Sequence, residues 1–147
     1  MKGLSFILFL LFLTSCLDKD MSPDAALREF IETRIGSSVS REYILERVTG
    51  KMFQSVQNMS EEDYQKFADL KNIQSDTFKI HSKSCQEKRC FITYSLGYKT
   101  KEADKAKYVS EVKKIAEMIQ VENKWLIADV SNIKTYHESM EPINPLE

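Results

Sequence analysis

Apolar positions change their spacing twice along the chain. From Leu4 to Leu13 they run almost unbroken, from Leu27 to Ala68 they recur at intervals of three or four, and from Phe78 onward they alternate. These periods mark, in turn, a signal core, amphipathic helices and half-buried strands. In the helical part, Ser22-Pro23-Asp24 is a start signal: a hydroxyl for the exposed amides, a proline at the first helical position and an acid near the positive helix end. Leu27, Phe30, Ile31 and Arg34/Ile35 continue at helical spacing, and Gly36 is a suitable stop. A second helix is predicted from Ser40, with Ile44, Val48 and Met52 at four-residue intervals. A third is predicted from Ser60, where Ser60-Glu-Glu-Asp63 resembles a capping box with Asp in place of the usual Glu or Gln. Tyr64, Phe67 and Ala68 of that helix are expected to face the core.

The second half alternates. Phe78 and Ile80 against Thr77, Lys79 and His81, then Ile92, Tyr94, Leu96 and Tyr98 against Phe91, Thr93 and Ser95, predict two strands of a hairpin. Trp125 to Val130 predicts another strand, entered by a turn at Glu122-Asn123-Lys124. Between them, Val112, Ile115, Ala116 and Ile119 fit a helix as well as Ile115, Glu117, Ile119 and Val121 fit a strand. Periodicity alone leaves that segment open. Pro142 and Pro145 argue against regular structure in 138–147, which reads as a flexible tail.

The chain's start sets the compartment. Lys2 gives a positive n-region, and the apolar run ends at Asp18, Lys19 and Asp20, far short of the roughly 20 residues that span a bilayer. Residues 1–15 therefore read as a cleaved secretory signal. The quartet Leu13-Thr14-Ser15-Cys16 resembles the lipobox of bacterial lipoproteins, which implies cleavage before Cys16 and lipidation of that residue. Several acyl chains on one cysteine give stable anchoring, since each buried CH2 contributes about 0.8 kcal/mol. Residues 16–21 then form a tether, and Leu17 to Met21 span at most roughly 18 Å. Known sorting rules for Gram-negative lipoproteins, with Leu17 after the cysteine, lean toward the outer membrane, facing the periplasm.

Composition narrows the remainder. Taking 15 residues from 147 leaves 132, one domain by length. Loss of Lys2 leaves 20 basic residues against 22 acidic ones, a balance that gives no nucleic-acid footprint and no polybasic membrane patch.

The order of helices first and antiparallel strands after, ending in VENKWLIADVSNIKTYHE, resembles the NTF2-like (SnoaL, cystatin-like cone) superfamily over residues 22–137. The resemblance implies an α+β fold with N-terminal helices packed on a curved antiparallel sheet. It also implies that Tyr108 to Val121 is a long strand.

Candidate chemistry is sparse. Cys85 and Cys90 flank four polar residues at a hairpin turn, unlike a CxxC redox motif, and zinc has only His81 nearby as a further ligand. With Cys16 given to lipid, the pair is expected to be a cross-strand disulfide in an oxidising compartment. His81 is expected on the polar side of its strand and His137 near the tail, both as surface residues. Nucleophile elbows, HExxH and glycine-rich phosphate loops are absent, and neither a metal nor a cofactor is implied. Tyr94, Tyr98, Tyr108 and Trp125 are candidates to line a concave face, which is either filled as core or open as an apolar pocket. The NTF2-like resemblance implies three roles: a non-enzymatic binding or docking module with an envelope protein partner, which the reading favours; a carrier of lipid or another small hydrophobic ligand; and an enzyme pairing Asp129 with Tyr94 or Tyr98.

Overall fold

A computed structural model describes residues 21–100 and 108–139. Cys16 and the chain beyond Ser139 lie outside the described residues, as do the side chains of Tyr108 and His137. Four helices precede four strands: α1 (Pro23–Arg34), α2 (Arg41–Leu45), α3 (Gly50–Asn58), α4 (Glu61–Ala68), β1 (Ile73–Gln86), β2 (Arg89–Thr100), β3 (Tyr108–Val121) and β4 (Lys124–Ser139). The strands form one curved, unclosed antiparallel sheet in the order β1-β2-β3-β4. The architecture is thus α+β, with the helices on one face.

Local chemistry explains the helix starts. The hydroxyls of Ser22, Ser40 and Ser60 accept from the amides of Ala25, Tyr43 and Asp63 at 3.4, 3.2 and 3.1 Å. Asp63 completes its cap differently from a Glu, accepting at 2.7 Å from the Ser60 hydroxyl itself. Gly36, just past α1, takes φ 75° and donates its amide to Leu70 O at 2.9 Å.

The helix expected from Ser40 through Met52 is two helices, which corrects the sequence reading. After α2 the chain opens so that Thr49 N donates to Ile127 O (2.9 Å) and Ile127 N donates to Arg47 O (3.0 Å), a one-residue parallel bridge at Val48. Two β-branched residues favour this extended segment, and Gly50 at φ 53° restarts the helix. The bridge occupies the outer edge of β4, where backbone groups would otherwise lie unpaired.

The ambiguous segment is a strand throughout, β3. Two-residue turns join β1 to β2 and β3 to β4; Glu122 and Asn123 in the second take φ 48° and 65°. The inner strands β2 and β3 pair without interruption, whereas β1 and β4 each carry two extra residues: Asp76 and His81 in β1, Ala128 and Ile133 in β4. Bulges bend and twist a strand, so placing them only on the outer strands curls the sheet's margins.

Register sorts the concave face into rows across the strands. Cys85, Cys90, Met118 and Ile127 form one row, and Lys83, Ile92, Ala116 and Val130 the next. Cys90, Met118, Ile92 and Ala116 are fully buried, as are Leu27 of α1 and Ile44 of α2. α1 packs against β1 and β4, and α3 packs along β4. α1 is further fixed to β1 by a 2.7 Å ion pair from Lys83 Nζ to Asp24 Oδ1 and by the Arg28 guanidinium 4.5 Å over the Phe78 ring. The Cys85–Cys90 disulfide forms as expected and closes the β1–β2 tip beside this core.

Candidate functional site

Farther along the sheet the rows change character. Ile80, Tyr94, Lys114 and Asn132 stand opposite one another, followed by Phe78, Leu96, Val112 and Thr135. Here the helices do not fill the concave face. A cavity of about 800 Å3 remains between these rows and helices α1 and α3, within the size range of small-molecule sites. Leu27, Phe30, Ile31, Val56, Leu96 and Val112 give it apolar walls, with Met52 and Met59 as adaptable side chains at α3.

Its charged groups among the described residues are two cations, Arg34 and Lys114, and one carboxylate, Asp129, beside the uncharged Ser55, Tyr94, Tyr98, Asn132 and Thr135. Arg34 arrives from the last turn of α1, in the apolar stripe, and lies 4.3 Å over the Phe67 ring and 5.2 Å from Phe30. One terminal nitrogen, Nη2, donates to Phe67 O at 2.9 Å, while Nε is buried without a partner among the described residues. Lys114 occupies an inward position of β3 and is half-buried; no ion pair or hydrogen bond joins its ammonium to a described residue. Burial lowers Lys114 from the usual lysine range, and the Arg34 charge lowers it further. Burial also lowers Arg34, with Tyr64, Tyr94 and Tyr43 acting in the other direction. The Tyr94 hydroxyl is pushed up to about 12 by burial, and Arg34 pulls the other way. Asp129, the one carboxylate on the cavity wall among the described residues, is engaged: it accepts from Lys51 Nζ at 3.2 Å and from Val130 N at 2.9 Å.

The candidates from sequence separate on this geometry. Tyr94 and Tyr98 both border the cavity. Trp125 does not; it lines a second groove of about 900 Å3 with Met21, Phe30, Arg47 and the β3–β4 turn. Asp129 shares the cavity with the tyrosines but is held by α3. His81 is a bulge residue whose Nε2 lies 3.0 Å from Ser95 Oγ, and Ser95 alternates with cavity residues Tyr94 and Leu96, so that pair belongs to the outer face. No group of three or more metal-ligating side chains converges among the described residues. Arg34 and Lys114 were not singled out from sequence. The available signal was their position: one cation in an apolar helical stripe, another at an inward strand position.

The outer face of the sheet carries Phe91, Ile115, Ile133 and Tyr136, all exposed among charged neighbours. No described helix is long and apolar enough to cross a membrane. Comparison with known proteins gives no matching family, no matching curated protein and no matching solved structure.

Proposed function

We propose that this protein is a non-enzymatic binding module of the bacterial envelope whose concave trough holds a small hydrophobic ligand. The observation that carries this reading is the open, largely apolar cavity beside a filled core. A filled concave face would have favoured docking alone, and a polar cleft with a free acid-base pair would have favoured an enzyme. The engagement of Asp129 by Lys51 and the outward position of His81 weigh against that second alternative.

The helix-then-hairpin order and the bulged outer strands support assignment of the fold to the NTF2-like cone type. Lipidation at Cys16 and an outer-membrane location facing the periplasm belong to the same proposal and rest on the signal sequence. With a tether of five residues, the trough would open close to a lipid surface. Intact mass of detergent-extracted protein tests the anchor: a diacyl or triacyl mass on Cys16 is expected, and an unmodified terminus elsewhere would contradict it.

The ligand reading is tested with the neutral fluorophore 1-N-phenylnaphthylamine. Saturable one-site enhancement is expected for the folded protein, lost in Leu96→Trp, which fills the trough. Absence of saturable binding, or unchanged binding in a folded Leu96→Trp variant, would refute the site.

A further inference from the structure

Among the described residues the trough places two cations, Arg34 and Lys114, beside apolar walls, while its one carboxylate, Asp129, is paired with Lys51. Partly desolvated charge is unfavourable unless compensated. Arg34 has a partial local account, since its guanidinium lies against the Phe30 and Phe67 rings and Nη2 bonds a carbonyl, although its Nε is unpartnered among the described residues. Lys114 has none. It stands opposite Tyr94 on β2 and Asn132 on β4, so neither cross-strand neighbour supplies a negative charge. The Tyr94 and Tyr98 hydroxyls, on the same wall, make no hydrogen bond with a described residue. The site therefore offers an ammonium and two hydroxyls to a ligand, with a second positive charge behind them.

We propose that the ligand is an acyl chain with an anionic head, the head held by Lys114 Nζ and the Tyr94 hydroxyl within the field of Arg34. This rests on the reading of the trough as a hydrophobic-ligand site and adds polarity and direction to it. The chain lies over Leu96, Val112 and Val56, and the head sits at the row of Tyr94 and Lys114. A cationic amphiphile is repelled by the same wall. Lys114 is the discriminating residue, because Arg34 also ties α1 to α4 and its loss would disturb the fold.

Competition against bound 1-N-phenylnaphthylamine separates the two claims. Decanoate, decanol and decyltrimethylammonium share one chain length and differ in head charge. Decanoate is expected to compete at least tenfold better than decanol, as a charge-assisted hydrogen bond provides, and decyltrimethylammonium is expected to be the weakest. In Lys114→Met the ratio of decanoate to decanol competition is expected to fall to about one, with a cooperative unfolding transition by circular dichroism reporting that the variant is folded. Equal competition by decanoate and decanol in the unaltered protein overturns the anionic head and leaves the hydrophobic site standing. A decanoate advantage that survives Lys114→Met overturns the role of Lys114. Failure of all three to compete overturns both claims.

Discussion

One concave face serves two purposes in this protein, and its two halves differ by only a few side chains. Near the β1–β2 tip the inward positions of β2 and β3 are Cys90, Met118, Ile92 and Ala116, small or flexible apolar groups that are fully buried together with Leu27 of α1 and Ile44 of α2. In the next two rows the inward positions are Tyr94, Lys114 and Asn132, then Leu96, Val112 and Thr135, and the face borders the open cavity. The strands do not change at this boundary, since β2 and β3 pair continuously through it. What changes is whether a helix can desolvate the row. A lysine and an asparagine pointing inward resist coverage because burying them unpaired is unfavourable, so the covering layer thins where they stand. An inward charge without a partner, unlike Lys83 with its Asp24 pair in the closed row, thus opposes conversion of the cavity into core.

The sharpest way to break this contrast is truncation on each side. Met118→Ala removes a fully buried side chain and is expected to cost about 2 to 5 kcal/mol. Leu96→Ala should cost about 1 kcal/mol, because part of that side chain already faces the cavity. Urea unfolding of both variants checks the pair; equal losses would mean that the open half is packed as tightly as the closed one.

The closed half is also stapled. Reduction of Cys85–Cys90, or Cys85→Ala, is expected to lower stability by about 2 kcal/mol, the low end for a disulfide because the loop is short. Ligand competition in the trough should be unchanged by this treatment, since the bridge lies at the other end of the sheet. Unfolding midpoints with and without reductant measure the first effect, and a parallel loss of binding would show that the halves are coupled.

Titration distinguishes the halves more finely. The lowered Lys114 value means that the folded, unliganded protein holds fewer protons than the unfolded chain in the alkaline window below the ordinary lysine value of about 10.4. Its contribution to stability therefore rises with pH across that window. Arg34, Tyr94, Tyr98 and Asp129 share the cavity, so the difference between unaltered protein and Lys114→Met isolates the lysine: the unaltered protein gains relative to the variant as pH rises. Asp24 in the closed half behaves oppositely at acid pH. The hydrogen bond from Lys83 lowers its value, so its contribution is present above about pH 3.9 and lost as pH falls through the folded value. As the pair is partly exposed, Asp24→Asn should cost less than about 1 kcal/mol near neutrality. Chemical denaturation across pH measures both.

The same contrast explains what the sequence revealed. The serine caps, the two tight turns and the Cys85–Cys90 bridge are local, and each was legible because its chemistry is contained within a few residues. The Ser40 helix was misread because Val48 keeps helical spacing with Ile44 and Met52; its break depends on Ile127, nearly eighty positions away. β3 was ambiguous for a related reason. Lys114 interrupts its inward alternation while Ile115 stands exposed on the outer face, so the strand period is blurred where the site is built. Arg34 hid in the same way, inside the apolar stripe of α1. Alternation placed Tyr94 and Tyr98 on one strand face with Ile92 and Leu96, and the NTF2-like resemblance made that face concave, but no period could say whether it was filled.

The most direct test is amide chemical-shift mapping in a two-dimensional NMR titration with decanoate. Saturable shifts are expected at Tyr94, Leu96, Val112 and Lys114, with little change at Cys90 and Met118 two rows away. Shifts centred instead on Phe91, Ile115 and Tyr136, on the outer face, would contradict a ligand site in the trough.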